Sequence, residues 1–144
     1  MTYNQVVKMI LDLLDNHPNI NEVDFTTPVN WINRNYVPSF PVANFTIDAG
    51  TFQSNREQSY RIDMWFLDKS GNEGEFETDV VSDMHGVAYD IIAQLKKLSN
   101  PYTVTDVITW GVISEKFEDY LSGIKLTLDL FVDRKYGACD VPTI

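Results

Sequence analysis

The residues able to do chemistry are few and scattered. Histidine occurs twice, at His17 and His85, and cysteine once, at Cys139. His17 stands beside Pro18 where a helical pattern ends, and His85 lies inside a second one. Residues two apart on a helix do not share a face, so Asp83 and His85 make a poor ligand pair. Asp79 and Asp83 do share a face, but acids at that spacing on an acidic helix are ordinarily its solvated side. A nucleophile needs a base within hydrogen-bond reach and a third group to orient that base. The chain has no Gly-x-Ser-x-Gly elbow, and Cys139 has no histidine near it in sequence. A lone cysteine forms neither an intrachain disulfide nor a thiolate metal site. Gly71-Asn72-Glu73-Gly74 precedes a helix but sits among carboxylates that would repel phosphate. Asp48 and Asp63 could face each other across neighbouring strands, a coincidence that 21 acids readily supply. Asn44-Phe45-Thr46 matches the glycosylation triplet but lies in a strand pattern. The expectation is a protein without catalytic, cofactor-binding or metal-ligating residues.

The elements that would position any site are easier to read. Thr2-Tyr3-Asn4-Gln5 has the form of a capping box. Tyr3, Val6, Val7, Ile10, Leu11 and Leu14 follow at helical spacing, which predicts a helix over 3–15. A short strand is expected from Ile20 to Phe25. Thr26 to Pro41, punctuated by Pro28, Pro38 and Pro41, fits neither period and reads as one long irregular segment. Phe45, Ile47 and Ala49 alternate with polar residues, as do Tyr60, Ile62, Met64 and Phe66. The polar stretch Gly50 to Ser59 between them predicts an extended hairpin tip, and 68–72 a turn. Phe76, Val80, Met84, Val87, Ile91, Leu95 and Leu98 step by three or four, predicting a second helix. Glu73, Glu75, Glu77 and Asp79 gather at its start and Lys96-Lys97 at its end, as the helix dipole favours. Val104 to Phe117 reads as one long strand with a bulge at Gly111. Ile124, Leu126, Leu128, Leu130 and Val132 carry the strongest strand signal, after a turn at 118–123. The tail 134–144 is expected to be irregular. The reading is a single α+β domain over 1–144, in the order α-β-β-β-α-β-β. Its two helices pack on one face of a mostly antiparallel sheet.

Length and composition bound the class of function. The 144 residues are 44% hydrophobic and 12% aromatic, rich enough to build a core. No apolar run approaches the ~20 residues of a membrane helix. The N-terminus lacks the basic start and apolar stretch of a signal peptide, so no export and no membrane partner are expected. Twenty-one acids against 11 basic residues give a net charge of −10, spread along the whole chain. Lys96-Lys97 and Arg134-Lys135 are its only adjacent basic pairs, which argues against sequence-specific DNA binding. An acidic surface can, however, line a channel through which DNA slides without sticking.

Protein contact is therefore the expected activity, and its candidate residues are aromatic or lie on the hairpin tip. Trp31, Tyr36 and Phe40 punctuate the irregular segment, either as a lid over the sheet or as anchors for a neighbouring subunit. Phe52, Arg56 and Glu57 lie on the predicted tip, and Tyr136 lies on the tail.

The order of elements resembles the phage tail-terminator and tail-completion group, small proteins that form rings at the head–tail junction. Locally, Asp119-Tyr120-Leu121-Ser122-Gly123, followed by alternating Ile124 to Leu130, is similar to the turn and last strand of that group. The ending Ala138-Cys139-Asp140-Val141-Pro142 resembles tails of virion proteins from phages of gut Bacteroidota, the crAss-like group included. The resemblance implies a structural virion protein without enzymatic activity, assembled in the host cytoplasm. It would form a homo-oligomeric ring that joins head and tail components, contacts neighbouring ring or tail proteins and passes DNA through an acidic lumen. The alternatives are a small metal-dependent or hydrolytic enzyme and a monomeric adaptor or inhibitor.

Overall fold

The structure, a computed structural model, describes residues 1–32, 39–53, 57–70, 76–116 and 121–133. Its elements are α1 (Tyr3–Asp15), β1 (Glu22–Asp24), α2 (Pro28–Ile32), β2 (Val42–Phe52), β3 (Glu57–Lys69), α3 (Glu77–Leu95), β4 (Thr103–Val104), β5 (Thr109–Lys116) and β6 (Leu121–Asp133). This is the expected α+β fold, with a short extra helix and one strand divided in two. The tail 134–144 and the acids Glu73 and Glu75 lie outside the described residues.

Local chemistry sets α1 as expected. Thr2 and Gln5 exchange side-chain-to-backbone hydrogen bonds in a complete capping box, and Val6, Ile10 and Leu14 turn into the core. Helix α3 buries Val80, Met84, Val87, Ile91 and Leu95 but is shorter than its apolar stripe suggested. Phe76 precedes its first turn, Leu98 follows its last, and both are exposed. The stripe was continuous in sequence, but only the residues inside the helix share its buried face.

The six strands form one sheet in the order β1-β2-β3-β6-β4, with β5 also paired to β6. Only β1 runs parallel to its neighbour. The β3–β6 ladder runs unbroken from Glu57↔Asp133 to Lys69↔Leu121. Close approach in that ladder requires Gly123, where a Cβ would stand 1.8 Å from the Phe66 carbonyl oxygen. One face of the ladder presents Tyr60, Ile62, Met64 and Phe66 beside Ile124, Leu126, Leu128 and Leu130, and both long helices pack there in one core cluster. Each fully buried side chain of this kind contributes roughly 1.5–3 kcal/mol. The half-exposed Arg61–Asp129 pair on the other face, at 3.6 Å, contributes at most ~1 kcal/mol. Apolar burial, not ion pairing, therefore decides the sheet's orientation.

Three expectations need correction. The stretch Gly50 to Ser59 is mostly strand: Gly50↔Tyr60, Thr51↔Ser59 and Phe52↔Gln58 continue the β2–β3 ladder. Its polarity misled because the Thr51 and Ser59 hydroxyls bond each other at 2.7 Å, satisfying themselves within the sheet. The strand expected over Val104 to Phe117 is interrupted at 105–108, five steps from Val104 to Thr109 matching three along β6. Gly111, where the bulge was expected, pairs regularly with Lys125. The segment Thr26 to Pro41 contains α2, which starts at a proline, the residue suited to a first helical turn. Thr27 caps it through Asn30 and Trp31.

Replacing Gly123 by alanine should be among the most damaging single changes, costing more than ~4 kcal/mol because a carbonyl must leave the central ladder. Thermal melting followed by circular dichroism checks this. An unchanged melting temperature would contradict the ladder register.

Candidate functional site

The two histidines make contacts within the fold. His17, at the end of α1, accepts the Asn19 backbone N–H on Nδ1 at 3.1 Å. That places the neutral ring's proton on Nε2, which donates to the Asp90 carboxylate of α3 at 2.9 Å. Nε2 thereby ties the segment after α1 to α3, while Nδ1 holds the turn at 17–19. His85 stacks edge-on against Trp110 of β5, with centroids 4.9 Å apart. Asp83 instead lines an open cleft of about 670 Å3 with Pro41, Asp68 and Asp90. Burial pushes the Asp68 carboxyl above its ordinary value; the Lys69 backbone N–H opposes this, and the negative charge of Asp83 adds to it. Asp48 and Asp63 do not meet. Asp48 falls at a register shift and accepts from Thr46 at 3.1 Å, while Asp63 lies opposite Thr46 and accepts from Thr127 at 2.7 Å. Among the described residues no group of three or more His, Cys, Asp or Glu side chains is arranged to hold a metal. Asn44 of the glycosylation triplet is 0% exposed on β2 and has no hydrogen-bond partner for its side chain.

Trp31 and Phe40 fold back on their own domain. Trp31 is 2% exposed and packs with Val42, Leu67 and Leu121 in a second, smaller core, joined by partly buried Phe40, Trp65 and Ile113. These strand residues alternate with the main-core residues, so Trp31 and Phe40 cover the face opposite the two long helices. Trp31 meets Phe40 edge-on at 5.6 Å, and the Lys69 ammonium lies 5.3 Å from the centre of the Phe40 ring. Of the two open roles for this segment, Trp31 and Phe40 take that of a lid. Tyr36, like Arg56 and Tyr136, lies outside the described residues.

The β2–β3 hairpin forms an arm. Phe52, near its end, is 80% exposed, and Glu57 starts the returning strand. At the arm's base a pocket of about 260 Å3 opens between Tyr3, Ile47, Gly50, Phe52 and Tyr60. Gly50 permits the close approach of the two strands there, since a Cβ would stand 2.1 Å from the Ser59 carbonyl oxygen.

Sequence reading missed a second exposed apolar surface, on β5. Trp110 and Val112 share the helix-side face with Leu126 and Ile124, their partners on β6, yet are 55% and 53% exposed. They reach past the flank of α3, where His85 touches Trp110 and Tyr89, one turn on, is exposed. The strand expected over Val104 to Phe117 left their face open; the position of α3 leaves both more than half exposed. No protein-family model and no curated protein matches this chain.

Two outcomes are expected of variants here. Trp31→Ala should lower the melting temperature by roughly 10 °C, from the loss of about 3–5 kcal/mol of aromatic burial. Asp68 binds its proton more tightly folded than unfolded, so its ionisation weakens the fold as pH rises above 3.8 towards the raised value. Asp68→Asn should therefore raise the melting temperature at neutral pH, and this gain should vanish below that window. A gain equally large at acid pH would show that the carboxylate is not its source.

Proposed function

We propose that this chain is a structural, protein-binding subunit that assembles with copies of itself, and that its assembly is a ring at the neck or tail of a phage. The observation that carries the proposal is the pair of exposed apolar surfaces at the margins of an otherwise well-packed sheet: Phe52 on the arm and Trp110 with Val112 on β5. Large exposed aromatic and branched side chains beside a well-formed core are characteristic of surfaces that become covered in an assembly. The net charge of −10 supports the same reading, because a ring that passes DNA gains from a lumen that repels it. Joining head and tail components, in this reading, is a matter of contacts made by the arm and the loops, with the β3–β6 ladder as the rigid base.

The carboxylate cleft at Asp68 and Asp83 is the place where the rival reading, a small metal-dependent hydrolase, would have to act. Its lining carries Asp68, Asp83 and Asp90 and no Lys or Arg, with the Lys69 charge acting on Asp68 from beside it, a balance that disfavours anionic substrates.

Light scattering coupled to gel filtration at high protein concentration, with negative-stain imaging, tests the proposal. The expected result is a large, annular particle. In the free protein the arm around Gln53 should be cut readily by proteases, and assembly should protect it. A monomer at every concentration, with equal cleavage throughout, would overturn the ring.

A further inference from the structure

Among the described residues β1, β4, β5 and part of β2 keep one side unpaired, and the two longer free edges, those of β2 and β5, lie at opposite margins. Strand β1 covers β2 only as far as Asn44, so Thr46 to Phe52 have β3 on one side and no strand on the other. At the far margin β5 is paired to β6 alone. Unpaired strand edges present rows of N–H and C=O groups that template pairing with another chain.

The two edges fit each other in three respects. Their directions are opposed: β2 is antiparallel to β3, β3 to β6 and β6 to β5, so β2 and β5 run antiparallel within the subunit. A copy placed beside it in the same orientation would bring β5 against β2 in the more stable, antiparallel sense. Their sides agree as well. Trp110 and Val112 protrude on the helix side of β5. The pocket formed by Tyr3, Ile47, Gly50, Phe52 and Tyr60 opens on the helix side of β2, because Phe52 and Gly50 pair with Gln58 and the core residue Tyr60. Finally, exposed apolar side chains stand on one edge and a pocket opens beside the other.

We propose that copies of this chain join edge to edge, β5 of one subunit pairing antiparallel with the 46–52 segment of β2 in the next, with Trp110 and Val112 seated in the pocket beside Tyr3 and Phe52. The joint rests on the self-assembly reading and specifies it. A two-fold pairing of β5 with β5 would leave the arm edge and its pocket uncovered in both copies. A head-to-tail joint covers both of these edges in every subunit and, being heterologous, passes from copy to copy and makes a ring where the rotation between copies closes.

The test uses two full-length variants, Phe52→Glu on the arm and Val112→Glu on β5. Both positions are more than half exposed, so each variant should fold, and circular dichroism verifies that. Lysine at the same positions is the second pair if either glutamate variant melts early. Sedimentation analysis should find wild-type protein in an oligomer larger than a dimer and each variant alone as a monomer. An equimolar mixture should form one heterodimer and stop, since it contains one intact joint. A variant that still dimerises alone, or a mixture that stays monomeric, overturns the edge-to-edge joint while the wild-type oligomer leaves the assembly reading standing. Wild-type protein that never oligomerises overturns both.

Discussion

The ladder between β3 and β6 is the constraint on which the rest of the molecule depends. Each strand is 13 residues long and their register does not shift. That ladder aligns two rows of apolar side chains on one face, and the rows form a surface wide enough for α1 and α3 to share. The same alternation places Leu67 and Leu121 on the opposite face, where the lid with Trp31 and Phe40 settles. A shift by one residue would exchange the two faces and leave neither layer anything to pack against. The close contact at Gly123 is thus the point where sequence and register constrain each other most tightly.

How far the fold can be read from sequence follows from which signals are local. Helix α1 and strand β6 were legible because capping, period and burial agree within each segment. The parallel placement of β1, the interruption between β4 and β5, and the face chosen by the lid were not. Each of these depends on partners remote in sequence: Val42 to Asn44 for β1, β6 for the interruption, and Leu67 with Leu121 for Trp31. The candidate surface divides in the same way. Phe52 lay on the predicted tip, whereas Trp110 and Val112 were not singled out, because nothing in their own segment tells that α3 passes to one side.

The charge distribution has a structural counterpart. Several cations are engaged within the fold: Arg61 with Asp129, Lys125 over the Trp65 ring, Lys69 over Phe40, and Lys96 with the Asp106 carbonyl. The face opposite the helices spends its basic groups on neighbouring strands and rings, so the domain's outward field is set by its acids. Such a surface disfavours adhesion to polyanions, an effect that salt screens.

Asn44 gives the interior a further consequence. Its amide is sealed in the sheet as part of the triplet Asn44-Phe45-Thr46. A secretory pathway that modifies nascent chains would meet this triplet before β2 has paired, and a sugar attached then would be too large for the space the folded chain leaves. Glycosylation and folding are mutually exclusive at this residue. In a eukaryotic secretory host the fraction of chains carrying a sugar would record how many were reached by the transferase before the β2–β3 hairpin closed, a kinetic record of folding written into one side chain.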